Sequence, residues 1–226
     1  MPRDTLDRQI HQLEDEILLL GSMVEQSMLD AVDALKRRDI ESAHHIYEND
    51  HVINEKRYAI ENAILILIAT QQPVSHDLRL LAAMLEVGTE LERIGDYAKG
   101  VAKVVYKLED IAIPIPMREI TRMAELSVSM LHRALSAFIA ENPNQASLIP
   151  AEDDEVDALY NRVYHYVVST MIADPEIIDH ANLLMWVAHN LERMADRVTN
   201  ICERTIFIAT GELMEMDTND DEDSET

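Results

Sequence analysis

An internal repeat constrains the fold of this chain more than any other feature. The segment LERIGDYA at 91–98 returns as LERMADRV at 191–198, so Leu-Glu-Arg-x-x-Asp occurs twice, 100 residues apart. A period close to half of a 226-residue chain indicates two domains built on one plan rather than a short repeat array. The fold must therefore present the same glutamate and the same aspartate in two equivalent surroundings.

The segments between the turn-forming residues predict helices. Prolines and other turn formers cluster at 71–77, 111–117, 141–145 and 173–176, and apolar residues between them recur at helical spacing. Aromatic residues make up only 4% of the chain and there are five glycines, a composition that also favours helix. We predict an all-α protein with helices at about 4–37, 39–71, 76–110, 117–141, 146–173 and 176–212.

Three residues predict helix ends. Ser75 and Asp174 are candidate N-terminal caps of the third and sixth helices, and Gly211 is a candidate C-terminal stop. Pro150 leaves two possibilities open, because it could kink the fifth helix or mark its true start.

The two halves of the chain overlay helix by helix. At an offset of 103 residues the middle helices match, with Ile53 on Val156, and at an offset of 100 the third helices match, with Gly95 on Ala195. We therefore predict six helices forming two pseudo-repeated antiparallel three-helix bundles. The predicted domains are 1–112 and 117–213, followed by an acidic, disordered tail at 214–226.

The charge of the chain excludes nucleic acid as a partner. The formal net charge is −24, and residues 211–226 contain eight acidic and no basic residues. The single Cys202 forms no internal disulfide, and the longest apolar run, 63–69, is far shorter than the roughly 20 residues that span a bilayer. We expect a soluble, cytoplasmic protein.

Paired acidic residues carry the predicted chemistry. The glutamate and aspartate of each E-R-x-x-D lie four residues apart and share one helix face, and a second pair with this spacing lies on each middle helix. A solvated surface is the simple explanation of one such pair, but not of pairs that recur in register. Oxygen ligands suit magnesium, calcium, manganese or iron, and zinc also uses them. The predicted metal ligands are Asp50, Asn54, Glu92, Asp96, Asp153, Asp157, Glu192 and Asp196.

Two other functions fit a helical protein rich in carboxylates. One is a metal-free helical adaptor or scaffold. The other is a carboxylate-bridged di-iron enzyme, which needs Glu-x-x-His on two different helices. Here Glu41-x-x-His44 and Glu48-x-x-His51 lie on the same predicted helix, and the second half lacks the motif. With no catalytic constellation placed by the sequence, we expect a protein that is not an enzyme.

These motifs closely resemble those of the PhoU family. The resemblance is carried by the doubled E-R-x-x-D, the earlier D-x-x-x-[ND] of each half, QPVSHDLR at 72–79 and NICE at 200–203, and it covers residues 1–213. It implies two three-helix bundles, each with a multinuclear surface cluster of metal ions. Iron or zinc is the first choice of metal, and magnesium, manganese and calcium remain alternatives. Asn54 departs from the carboxylate pattern, so we expect weaker or less complete metal binding in the first half.

The resemblance also implies a biological role. It predicts a cytoplasmic negative regulator of phosphate uptake and of the phosphate-starvation response. The implied partners are the ATPase subunit of the phosphate transporter and the phosphate-sensing histidine kinase, through which the protein would reach the membrane. A homodimer is the expected assembly.

Overall fold

The computed structural model describes residues 2–108 and 113–216. Within these ranges the chain forms helices and no strands. Short 3₁₀ turns at Pro150–Glu152 and Pro175–Ile177 precede the last two helices. The helices are α1 (Pro2–Arg37), α2 (Ile40–Gln71), α3 (His76–Lys107), α4 (Met117–Ile139), the one-turn α5 (Pro143–Ala146), α6 (Asp153–Ala173) and α7 (Ile178–Thr210).

The long helices form two three-helix bundles that pack side by side. Helices α1, α2 and α3 contact one another in the first half, as do α4, α6 and α7 in the second. The halves meet where α3 packs on α7 and α1 packs on α4, and the buried apolar side chains form one continuous core. The prediction of an all-α protein with six long helices in two repeated bundles is therefore confirmed.

Ion pairs cross the contact between the two halves at α3 and α7. Arg204 Nε lies 2.6 Å from Glu86 Oε2, and Arg197 Nη1 lies 3.4 Å from Glu90 Oε2. The predicted domain limits remain predictions, because the boundary at 112 and most of the predicted tail, 217–226, lie outside the described residues.

Two of the three predicted helix ends are confirmed in full. The Asp174 side chain accepts a hydrogen bond from Glu176 N and so caps the 3₁₀ turn that leads directly into α7, and Gly211 ends α7 with a φ of 80°. For Ser75 the predicted position is confirmed, since α3 begins at His76, but the capping role of its side chain is not. Its φ of 51° and ψ of −114° lie far from the extended conformation of a capping residue, and its side chain makes no capping hydrogen bond.

The fifth predicted helix begins later than the sequence indicated. Residues 143–146 form a separate turn of helix, Pro150 opens a 3₁₀ turn, and α6 begins at Asp153 rather than at 146. Pro150 therefore precedes the helix instead of kinking it, since a proline without an N–H group is best accommodated in a first turn. This start places Asp153 in the first turn of α6.

Across the described parts of the chain, no helix combines the length and the apolar character that crossing a bilayer requires.

Candidate metal sites

One aspartate in each half occupies a position that an apolar residue would normally fill. Asp50 lies on α2 in the buried stripe between Ile46 and Ile53, and Asp153 lies on α6 one turn before Val156. Only 4% of Asp50 and 5% of Asp153 are exposed. A buried carboxylate is costly unless it is paired, hydrogen-bonded or bound to a metal. These two residues therefore define the centres of the two candidate sites.

The acids of α3 complete the first cluster, which we define as Asp50, Asn54, Glu92 and Asp96. Burial and the charge of Asp96 raise the pKa of Glu92, and Asp50 adds to this effect. Burial and the charge of Asp50 raise the pKa of Asp96. The structure thus brings the predicted residues of α2 and α3 close enough for their charges to interact.

The first cluster already contains a cation. Lys99 Nζ lies 2.7 Å from Asp50 Oδ2, and Asn54 Nδ2 donates a hydrogen bond of 3.1 Å to the same oxygen. The hydrogen bond to Asp50 is the main reason why the pKa of Lys99 is raised. Arg57 of α2 is a second cation near the cluster, because its charge opposes the rise in the pKa of Glu92.

The second cluster consists of Asp153, Asp157, Glu192 and Asp196. Burial raises the pKa of Asp153 to about 7, and the charges of the other three acids contribute to that rise. Within the described residues, the buried Oδ1 atom of Asp153 has no hydrogen-bond partner. All four predicted ligands of the second half are therefore brought into one electrostatic cluster around a buried carboxylate.

Neutral residues replace the two cations in the second half. Thr199 matches Lys99 at the offset of 100, and Tyr160 matches Arg57 at the offset of 103. Thr199 is 3% exposed, and its Oγ1 finds no hydrogen-bond partner in the part of the chain that the structure describes. Burial, followed by the charge of Glu192, raises the pKa of Tyr160, which places this ring near the cluster.

The donor set of the second cluster fits a cation that prefers oxygen. Carboxylates are the usual ligands of such ions, and an unpartnered buried carboxylate oxygen is available at Asp153. Asp196 and Thr199 also line a cleft of about 740 Å³ between α3, α7 and residues 213–216, which gives this side of the cluster access to solvent.

The side chains are not yet arranged around an ion. Over residues 2–108 and 113–216, no group of three or more histidine, cysteine, aspartate or glutamate side chains has a geometry that could hold a metal ion. A site with three or more of these protein ligands would require the carboxylate side chains to move.

Sequence reasoning missed four residues around these clusters. His189 Nδ1 lies 3.0 Å from Glu192 Oε2, although the histidine shows no repeat spacing. Lys99, Thr199 and Arg57 could have been found by extending the overlay of the two halves beyond the acidic motifs. That overlay pairs a cation with a neutral residue at two positions next to the acids.

The residues of the possible di-iron motif lie outside the bundle. Glu41, His44, Glu48 and His51 are all on α2 and all exposed, and His44 Nδ1 lies 3.2 Å from Glu48 Oε2. A di-iron centre takes its ligands from several helices that point into the bundle. This motif does not meet that requirement.

The fold and the two clusters define a class of all-helical protein with duplicated three-helix bundles and an acid cluster on each. A family model described as the PhoU domain matches residues 17–105 and again 120–205. The chain belongs to the PhoU family.

Relatives and solved structures agree with this assignment. The chain is 34% identical to the phosphate-specific transport system accessory protein PhoU homolog of Clostridium acetobutylicum, over 97% of this chain and 100% of that one. It is 33% identical to the homolog of Streptococcus pneumoniae, over 95% and 99%.

A crystal structure of the phosphate transport system regulatory protein PhoU from Streptococcus pneumoniae superposes with a TM-score of 0.86, at 33% identity, over 93% of this chain and 100% of that one. The crystal structure of PhoU from Pseudomonas aeruginosa gives a TM-score of 0.85 at 29% identity, over 91% and 99%.

Proposed function

We propose that this protein is an accessory regulator of a phosphate-specific transport system. Relatives named as accessory proteins of such a system align with nearly the whole chain, and a similar solved structure is that of a phosphate transport system regulatory protein. The proposed action is negative regulation of phosphate uptake and of the phosphate-starvation response. The protein is not an enzyme in this proposal.

The proposed partners are the ATPase subunit of the phosphate transporter and the phosphate-sensing histidine kinase. Both partners would be met from the cytoplasm, and the protein would reach the membrane only through them. The proposed assembly of the protein is a homodimer. The long helices offer broad and rigid surfaces for such contacts, and the chain has a strong negative charge that favours basic partner surfaces.

The proposal includes metal ions held by the acid pairs of the two clusters. Iron or zinc is the first choice, and magnesium, manganese or calcium are alternatives. The single observation that carries this part is Asp153 Oδ1, a buried carboxylate oxygen without a hydrogen-bond partner among the described residues, next to three further acids. The second cluster is the stronger candidate. A bound ion would offset part of the charge of the carboxylates and hold them in one arrangement at the surface that meets the partner.

Affinity capture combined with elemental analysis tests this proposal. The tagged protein is incubated with the transporter ATPase and the sensor kinase from the same organism, before and after treatment with a chelator. We expect both partners to be retained by the metal-loaded protein and retained less by the chelated one. Retention of neither partner in either state would contradict the proposed regulatory role.

A reporter gene controlled by the phosphate-starvation response tests the same proposal in the cell. Glu192→Ala combined with Asp196→Ala should switch on phosphate-starvation genes despite ample phosphate, while circular dichroism shows an intact helical fold. The matched control, Glu92→Ala with Asp96→Ala, makes the same change in the first half. A folded, metal-free Glu192→Ala/Asp196→Ala protein that represses normally would leave the cluster without a regulatory role.

A metal-free helical adaptor is the second candidate function. It is favoured by one observation, namely that no three potential ligands in the described ranges have the geometry to hold an ion. In that case both partners would bind equally well before and after chelation, and elemental analysis of the purified protein would find no stoichiometric metal.

A further inference from the structure

We propose that Lys99 is the resident cation of the first cluster and, with Arg57, keeps metal ions out of it. The metal of the native protein is then bound in the second half alone. This inference rests on the proposed function and narrows it, because it leaves metal ions in only one of the two clusters to which that proposal assigns them.

Asp50 is already contacted by two donors. Its Oδ2 atom receives Lys99 Nζ at 2.7 Å and Asn54 Nδ2 at 3.1 Å. Asp50 is buried, whereas Lys99 enters from the partly exposed side of α3, where 33% of its side chain remains accessible. A metal ion that used this oxygen would have to displace two donors. Because Lys99 is tethered to α3, it competes with the ion at a high effective concentration.

The ammonium group of Lys99 lies where a metal ion bound to Asp50 would lie. A Lys99 Nζ at 2.7 Å from a carboxylate oxygen occupies the volume in which a coordinated ion and its water would lie. The ring of Tyr47, whose centroid is 5.2 Å from Nζ, supports the ammonium from another side. The lysine is thus held in place by a carboxylate and an aromatic ring.

The charge balance of the first cluster also disfavours a metal ion. The first cluster has three carboxylates, on Asp50, Glu92 and Asp96, and Asn54 is neutral. Arg57 also faces α3, since its Nη2 donates a hydrogen bond of 3.3 Å to Thr89 Oγ1. Lys99 therefore offsets one of the three carboxylate charges directly, and Arg57, which also pairs with Glu61 at 2.8 Å, reduces the remaining negative charge in part.

The second cluster shows the complementary arrangement. It has four carboxylates, and Thr199 and Tyr160 replace the two cations at the matched positions. Asp153 Oδ1 and Thr199 Oγ1 are buried and lack hydrogen-bond partners among the described residues, which is the opposite of the condition of Asp50 Oδ2. One site is closed by its own lysine, and the other has unused oxygen atoms.

A reciprocal exchange of Lys99 and Thr199 tests the proposal. The full chain is stripped with a chelator and titrated with Mn²⁺, which prefers oxygen ligands and so discriminates against the exposed histidines. Bound ion is measured by electron paramagnetic resonance, and folding is checked by circular dichroism. The variants are K99T, T199K, D196A and the double variant K99T/D96A.

The expected results differ in sign between the halves. K99T should bind additional Mn²⁺, and K99T/D96A should lose that addition because Asp96 belongs to the opened cluster. T199K and D196A should weaken the binding found in the unmodified chain by about 10-fold or more, the scale on which groups around metal ligands act. Lys103→Thr, which removes an exposed lysine one turn further along α3, is the matched control and should bind as the unmodified chain does.

Two other outcomes would contradict this proposal, and they differ in whether the proposed metal-dependent function survives. If D196A keeps about half of the bound Mn²⁺ of the unmodified chain, or if K99T gains none, the first cluster is not closed by Lys99, while the proposed metal-dependent function survives. If no form of the protein binds Mn²⁺, the metal part of the proposed function and this inference both fail. The K99T result decides the matter even if T199K does not fold.

Discussion

The first and second clusters of this protein carry the same acid pairs on the same helices but balance their charges in different ways. Around Asp50, the first half adds an amide and a lysine within hydrogen-bond distance. Around Asp153, the second half adds a further aspartate, and a buried carboxylate oxygen is left without a partner among the described residues. The two halves share one backbone plan, whereas a few different residues next to the acids change the charge and the hydrogen bonds of each cluster.

This comparison shows that the acidic motif alone does not fix the charge balance of its cluster. The E-R-x-x-D sequence is present in both halves, yet the residue three positions after its aspartate is a lysine in one half and a threonine in the other. A side chain that reaches back to the cluster from the next turn can supply the charge that an ion would supply. The neighbours of the motif therefore have to be read together with it.

The largest expected difference between the halves is in metal content. Glu192→Ala with Asp196→Ala should remove most of the bound metal, because it eliminates half of the carboxylates of the second cluster. Elemental analysis of the purified protein measures the loss. The same change in the first half, Glu92→Ala with Asp96→Ala, should remove much less. Equal losses from the two halves would show that the clusters are equivalent.

The pH dependence of stability should reveal the buried acid of the second half. The pKa of Asp153 is raised from 3.8 to about 7, so the folded, metal-free protein retains this proton while the unfolded chain loses it. Stability therefore falls as the pH rises from about 4 to about 7, and the whole loss is present above pH 7. It is on the order of 4 kcal/mol, from 1.36 kcal/mol per pKa unit.

Urea unfolding of the chelated protein between pH 4 and pH 8 measures this effect. Because other acids also titrate, the informative quantity is the difference in unfolding free energy between the unmodified chain and Asp153→Asn. As the pH rises, the asparagine variant should become more stable relative to the unmodified chain. A difference that stays constant over this range would mean that Asp153 ionises in the fold at its ordinary pKa.

The matched aspartates should respond to the same substitution with opposite sign. At pH 8 and without metal, Asp153→Asn should stabilise the protein by about 1–3 kcal/mol, because it removes a buried charge surrounded by like charges. Asp50→Asn should destabilise it by about 1–2 kcal/mol, because Lys99 loses the carboxylate with which it pairs. Denaturant unfolding measures both values. Two changes of the same sign would contradict the difference in charge balance.

The smallest expected effect concerns the packing beside the clusters. A methyl group added at Gly95 would lie 3.3 Å from Ile53 Cδ1, the atom that a valine lacks, whereas the second half has Ala195 and the smaller Val156 at the matched positions. We expect Gly95→Ala to be more favourable in an Ile53→Val background than alone, by about 0.5–1 kcal/mol. A double-mutant cycle in urea measures this coupling. Its absence would show that Ile53 accommodates the methyl group without cost.

Local features of this protein were determined by the sequence itself. Four-residue spacing places Glu92 with Asp96 and Glu192 with Asp196 on one face, because a helix brings residues i and i+4 together without help from the rest of the chain. The constant offset between the halves predicted the two bundles, because apolar stripes that recur at helical spacing require a partner surface. Gly211 and Asp174 also act locally, and both were predicted.

Other features were decided only by the tertiary structure. Ser75 failed as a cap because the turn before α3 imposes a positive φ, and the start of α6 moved to Asp153 because Pro150 opens a separate turn. Lys99 and Asp50 are 49 residues apart and meet only because α2 packs against α3.

The burial that raises the pKa of Asp153 likewise depends on which face of α6 meets α7. Spacing along one helix gave the ligand candidates. Whether a cation from a neighbouring turn reaches them, and how much water surrounds them, depends on distances between helices that sequence spacing does not fix.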